Sequence, residues 1–171
     1  MANYTITSAN KKDIDAIKAI NEACLAENYK RDIYEQLIKS IIICKDGDKI
    51  IGYVIMANLA TESKDDDLVP FSWKYNRNLV HTVVFSFAVM PEYRKKGIGT
   101  KLLRMVTDTH KKHPILLHAR KSNESAKALY NKFGFKILKE SLGYYHNPEE
   151  DGLIMVYLKG ARHFQTLFFL K

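Results

Sequence analysis

The sequence predicts a mixed α/β fold with about seven strands and four helices, because apolar residues switch along the chain between a spacing of two and a spacing of three to four. Short β-branched runs are separated by Asp, Gly and Pro turns, as a sheet-forming chain requires. The segment 83–106 passes from an apolar run, through a basic turn containing glycines, directly into a helical pattern.

The elements follow in order. Tyr4-Thr5-Ile6-Thr7 alternates and predicts a first, edge-like strand. Ile14, Ile17 and Ile20 recur at helical spacing and predict a helix over 11–22. A loop with Glu27, Asn28 and Tyr29 leads to a second helix over 32–39. Residues 41–44 predict a strand, Asp46-Gly47-Asp48 a turn, and 49–57 an antiparallel return. Residues 58–79 are polar and irregular, with Asp65, Asp66, Asp67, Pro70 and the sole Trp73; so long a connection is expected to serve function. Residues 83–89 predict a buried strand, stopped at Pro91, which cannot extend a ladder. A helix over 100–106 and a strand over 115–117 follow. Ser122 is the expected N-cap of the next helix, and Gly134 suits the left-handed position that ends it. A final hairpin is predicted with strands over 136–142 and 153–159 and a turn at 148–152. One domain, 1–160, is expected, with an apolar tail over 161–171 that packs on it, adds a strand or meets a partner.

Composition narrows the classes. The chain has 171 residues, 46% of them hydrophobic, enough for a real core. No apolar run reaches membrane-spanning length, and nothing before Tyr4 reads as a leader. Cys24 and Cys44 are the only cysteines and have no metal-ligand spacing; a reduced, cytoplasmic setting without bound metal is expected. The net charge of +8 raises nucleic acid as a partner, but the basic residues form no dense stripe with interleaved aromatics, so no specific nucleic-acid binding is expected.

The basic turn carries the chemistry. Arg94, Lys95 and Lys96 place three charges beside Gly97, Ile98, Gly99 and Thr100, at a helix start whose N–H groups lack internal partners. Gly97 and Gly99 have no Cβ, so a ligand can approach the backbone closely. A phosphate or pyrophosphate fits. The turn is not a P-loop, which needs Gly-Lys-Ser/Thr, nor the dinucleotide fingerprint, which needs a third glycine.

Arg94, Gly97 and Gly99 fill a (Q/R)-x-x-G-x-(G/A) pattern, and Asn123, Ala126, Tyr130, Gly134 and Phe135 fill N-x-x-A-x-x-x-Y-x-x-x-G-F without a gap. On these two motifs the chain resembles the GNAT superfamily of acyl-CoA-dependent N-acyltransferases. Leu25-Ala26-Glu27-Asn28-Tyr29 with Tyr34 and Leu37, Leu117-His118 running into Ser122–Ala126, and the pair Tyr144-Tyr145 are similar to the protein N-terminal (Nα) acetyltransferase branch. Ala26 stands where that branch has proline. The resemblance implies a mostly antiparallel seven-stranded sheet, four flanking helices and a splayed, bulged central strand.

It also implies an activity: transfer of acetyl from acetyl-CoA (coenzyme A) to the N-terminal α-amine of a protein or peptide, by direct attack in a ternary complex. An α-amine with a pKa near 8 needs only about 1.4 kcal/mol to be neutral at pH 7, against more than 4 for lysine, so a modest base suffices. The resemblance gives the cofactor turn to residues 94–100, the acyl arm to Phe87, Ala88 and Val89, and a further cofactor contact to Asn123. It makes His118 the first candidate base, Glu27 the second, and Tyr130 the proton donor to the departing sulfur. Tyr29, Tyr144 and Tyr145 become walls of the peptide groove, and backbone N–H near Val89 the oxyanion site. Some members carry a catalytic His or Tyr where this chain has Val83; His81, two residues earlier on the same strand face, is the candidate substitute. Protein N-termini are the implied partners, with the ribosome or nascent chains as candidates; no membrane is involved, and a monomer or weak dimer is expected. Two other readings use the same cofactor site. One is a small-amine acetyltransferase, with the 65–67 aspartates supplying an acidic pocket. The other is an acyl-CoA-binding regulatory module without turnover, which Val83 would suit.

Overall fold

The computed structural model describes residues 4–60 and 80–159. The predicted aspartate-rich loop with Trp73 and the C-terminal tail lie outside the described residues, except for residues 58–60. Seven strands form one mixed sheet in the order β1-β2-β3-β4-β5-β7-β6. The strands are β1 (Tyr4–Ser8), β2 (Ile41–Asp46), β3 (Lys49–Ala60), β4 (Val80–Val89), β5 (Ile115–Arg120), β6 (Lys136–His146) and β7 (Glu149–Tyr157). Four helices accompany them: α1 (Ile14–Cys24), α2 (Arg31–Gln36), α3 (Ile98–Thr109) and α4 (Glu124–Phe133). The ladders β1–β2, β2–β3, β5–β7 and β6–β7 are antiparallel, and β4 with β5 is parallel. That parallel ladder covers Thr82–Val84 against Ile115–Leu117 and ends there.

The chain falls into two compact units. Described residues 4–57 and 85–106 form the first. Its core gathers Ile14, Ile17 and Ile20 of α1, Tyr34 of α2, Ile41 and Ile43 of β2, and Tyr53 and Ile55 of β3. The α1 isoleucines bury one stripe, as their spacing predicts. A polar network runs through this core: Asn21 donates to the Tyr53 hydroxyl at 2.9 Å, and that hydroxyl lies 2.7 Å from Ser86 Oγ. Burial pushes the Tyr53 phenol up, so it remains a donor.

Residues 58–60, 80–84 and 107–159 form the second unit, cored by Val83, Leu116, Ile154 and Val156. β7 lies between β5 and β6, and Gly152–Tyr157 are buried throughout; β6 is the sheet edge and mostly exposed.

Most predicted elements are present, with corrections. The first helix opens with a 3-10 turn at Lys11–Asp13 before α1. The second ends at Gln36 and gives way to another 3-10 turn. The final hairpin strands are longer than predicted, so the turn shrinks to Asn147 and Pro148. Ser122 is not the N-cap of α4. Asn123 is, its Oδ1 accepting from Ala126 N at 3.1 Å. Ser122 is held instead by its own N–H, which donates to Glu150. Gly134 ends the helix at φ +98°, as predicted.

Candidate active site

In the first unit, β4 ends at Val89 and the chain turns through Pro91–Tyr93 into α3. Lys95 has φ +59° and Gly97 φ +81°. A lysine in the left-handed region costs about 1–2 kcal/mol, a strain that recurs at ligand-binding turns. The Gly97 carbonyl accepts from Lys101 N and so opens α3. The N–H groups of Ile98, Gly99 and Thr100, in the first turn, have no acceptor within the helix. Arg94 folds back: its Nε donates to the Val89 carbonyl at 3.0 Å, tying the turn to the strand end. Arg94, Lys95, Lys96 and Gly97 are all exposed. A Cβ built on Gly97 meets nothing within 4 Å, so backbone conformation rather than crowding calls for glycine there. Strained backbone, amides without an acceptor inside the helix and exposed cations fit a polyphosphate such as the pyrophosphate of coenzyme A.

The 25–29 loop in the same unit is anchored to β4. The Tyr29 hydroxyl donates to the Phe85 carbonyl at 3.0 Å, and its ring meets Tyr34 edge-on. Tyr29 therefore uses its polar end on the protein's own backbone. Glu27 is half-buried beside it in the chain. Phe87 and Val89 are half-exposed, whereas the Ala88 side chain belongs to the core, so only its backbone can face an acyl arm.

In the second unit, β5 carries His118 half-buried. Its imidazole stacks on Tyr144 with ring centroids 4.0 Å apart and planes 7° from parallel. Burial, and secondly the Lys139 charge, lower its pKa to about 4. The register explains the Lys139 effect: Ile154 pairs with both His118 and Lys139, so all three form one row across β5, β7 and β6. His118 is therefore neutral near pH 7, because the imidazolium is disfavoured. Tyr130, on α4, is buried beside Phe135, and burial pushes its phenol up, so the proton stays on oxygen. Asn123 spends its oxygen on the helix cap.

Tyr144 is 44% exposed, but Tyr145 is 8% exposed beneath Arg120, whose guanidinium carbon lies 4.3 Å above its ring. Of this adjacent pair of predicted wall residues, Tyr144 is the accessible one. His81 is fully buried in β4, with Val83 3% exposed in the core. The candidate substitute for the residue missing at Val83 is thus a side chain sealed from solvent in this structure.

The sequence reading missed Arg120, Lys139 and Gly152. Arg120 donates to the carbonyls of Pro148 at 3.0 Å and Asn147 at 2.9 Å, and pairs with Glu150 at 3.2 Å. One faint signal existed: Arg120 follows His118 by two residues and so shares its strand face.

A mixed sheet with a basic, glycine-bearing turn after its central strand suits a protein that holds a polyphosphate cofactor. Solved structures share this fold: Arabidopsis thaliana NAA60 in complex with acetyl-CoA superposes with a TM-score of 0.76 at 19% identity, over 91% of this chain and 99% of that one. Residues 14–135 match the acetyltransferase (GNAT) family, and the chain belongs to it. An N-alpha-acetyltransferase of Saccharolobus solfataricus is 31% identical over 156 residues, covering 86% of this chain and 89% of that one. The NAA10 catalytic subunit of the Arabidopsis thaliana N-terminal acetyltransferase A complex is 30% identical, covering 92% and 80%.

Proposed function

We propose that this protein transfers the acetyl group of acetyl-coenzyme A to the N-terminal α-amine of proteins or peptides. The observation that carries the reading is the match, over most of both chains, to an N-alpha-acetyltransferase. The matched family segment, 14–135, runs through both compact units, so the 94–100 turn and the residues of β5 and α4 belong to one family segment.

Acetyl-coenzyme A supplies the activated acetyl thioester. The backbone amides and cations of 94–100 would hold its pyrophosphate, and backbone groups at Phe87, Ala88 and Val89 would meet the acyl arm. Tyr130, protonated at every physiological pH, would donate a hydrogen bond to the departing sulfur and so stabilise its developing charge, the thiolate taking its proton from solvent. His118 is neutral at pH 7. With a pKa of about 4, taking a proton directly from an α-ammonium of pKa near 8 is uphill by about 5 kcal/mol. The amine therefore loses its first proton to solvent, and His118 accepts the second, which the nitrogen releases after bonding to the carbonyl carbon. Glu27 serves as an alternative acceptor on the 25–29 loop. Tyr144 presents an exposed aromatic surface to the peptide. Asn123 keeps its side-chain amide donors for the cofactor. Nascent chains at the ribosome, met in the cytoplasm by a monomer or weak dimer, are the proposed setting.

The test is to incubate the protein with labelled acetyl-coenzyme A, a peptide library and a polyamine panel, and to map the acetylated atom by fragmentation mass spectrometry. Label on peptide N-terminal nitrogen supports the reading. Label confined to polyamines, or coenzyme A binding without transfer, overturns it.

A further inference from the structure

β6 departs from regular pairing where it carries Tyr144. Ser141 pairs with Gly152 and Tyr145 with Glu150, so Leu142, Gly143 and Tyr144 together face Asp151 alone. A bulge of this kind re-aims a side chain. Its geometry is fixed at two points. Gly143 adopts φ +59°, and its N–H donates to Asp151 Oδ1 at 2.9 Å. On β7, Gly152 leaves room for the re-aimed ring: a Cβ there would lie 3.1 Å from Tyr144 Cβ and 3.2 Å from Cγ and Cδ1. Gly152 pairs with Arg120 on β5, two residues along the same face from the His118–Ile154 pair. The ring bedded on Gly152 is the one that stacks on His118.

We infer that Asp151 is a positioning residue for the reaction: by holding the Gly143 bulge it lays Tyr144 over Gly152 and fixes the plane of the His118 imidazole. The catalytic meaning rests on the acetyl-transfer reading above. The charged groups around this device are Lys121, whose Nζ lies 3.5 Å from Asp151 Oδ2, Glu140, which pairs with Lys121, and Lys139, which acts on His118. The Gly143 bond needs only an acceptor oxygen. Asparagine supplies one and alanine does not.

The experiment compares full-length wild type, Asp151→Ala, Asp151→Asn and Gly152→Ala by NMR of the His118 ring protons and by steady-state kinetics with acetyl-coenzyme A and a peptide whose N-terminal amine is free. In wild type the His118 ring protons carry an upfield ring-current shift from Tyr144. Asp151→Ala loses most of that shift and lowers kcat/KM about tenfold, the size expected for one hydrogen bond to a charged group. Asp151→Asn restores the shift. Gly152→Ala displaces the ring from the other side, so the test stands even where Asp151→Ala folds poorly. An unchanged His118 shift in both Asp151→Ala and Gly152→Ala overturns the inference, as does an asparagine variant that behaves like alanine. The NMR readout needs no turnover, so a protein that acetylates no peptide sinks the functional reading while leaving the positioning measurable.

Discussion

The imidazole of His118 and the phenol ring of Tyr144 lie face to face, 4.0 Å between centroids. The stack covers one face of the imidazole, and Lys139 adds positive charge nearby, so the neutral form is favoured. The histidine pKa of about 4 lies below its unfolded value near 6.5. Its stabilising contribution is therefore complete above pH 6.5 and is lost as pH falls toward 4. An NMR titration should show no His118 protonation between pH 8 and 5.5. Over that range kcat/KM should rise with the fraction of neutral substrate amine, in wild type and in His118→Ala alike, with the variant lower by about 10² at every pH. A His118 midpoint near 6.5 would remove the late-acceptor role.

Gly97 separates fold from binding. At φ +81° a side chain there costs about 1–2 kcal/mol of backbone strain, yet it meets no protein atom. Gly97→Val should lower the melting temperature by a few degrees while weakening coenzyme A binding by more than tenfold, read by calorimetric titration at low ionic strength. Gly97→Asn, which tolerates left-handed backbone, should regain the stability and only part of the affinity.

Tyr130→Phe keeps the packing against Phe135 and removes only the hydroxyl. Turnover should fall about 10²-fold with the coenzyme A dissociation constant unchanged, because the phenol proton matters to the leaving sulfur rather than to ground-state binding. Equal losses in affinity and turnover would make the residue a binding group.

Arg120 closes the β6–β7 hairpin by bonding two turn carbonyls and Glu150 while covering Tyr145. Lysine carries the charge but not the planar fork. Arg120→Lys should cost about 1.5–3 kcal/mol and speed amide exchange in the hairpin strands, measured by denaturation and hydrogen exchange. No change in exchange there would show that the turn is held by its ladder alone.

Much of the fold was legible because local rules and global packing agree. The α1 stripe and the Gly134 stop each follow from residues close in sequence. The basic turn was legible for the same reason: its chemistry lies in six consecutive residues, Arg94 to Gly99. Ser122 misled because its backbone N–H is captured by Glu150, twenty-eight residues away, which hands the cap to Asn123. Tyr144 and Tyr145 looked equivalent; the Gly143 bulge and the reach of Arg120 expose one and bury the other.

By itself the sequence determined the order of elements, the anionic ligand expected at 94–100, and the residue types available for acetyl transfer, since periodicity, glycine placement and charge are written locally. Only the tertiary structure decided that His118 stays neutral, that His81 is sealed away, and that Asp151 and Gly152 set the aim of Tyr144. Those outcomes depend on strand register and burial, which bring residues distant in the chain into one row and change the free energy of their charged forms.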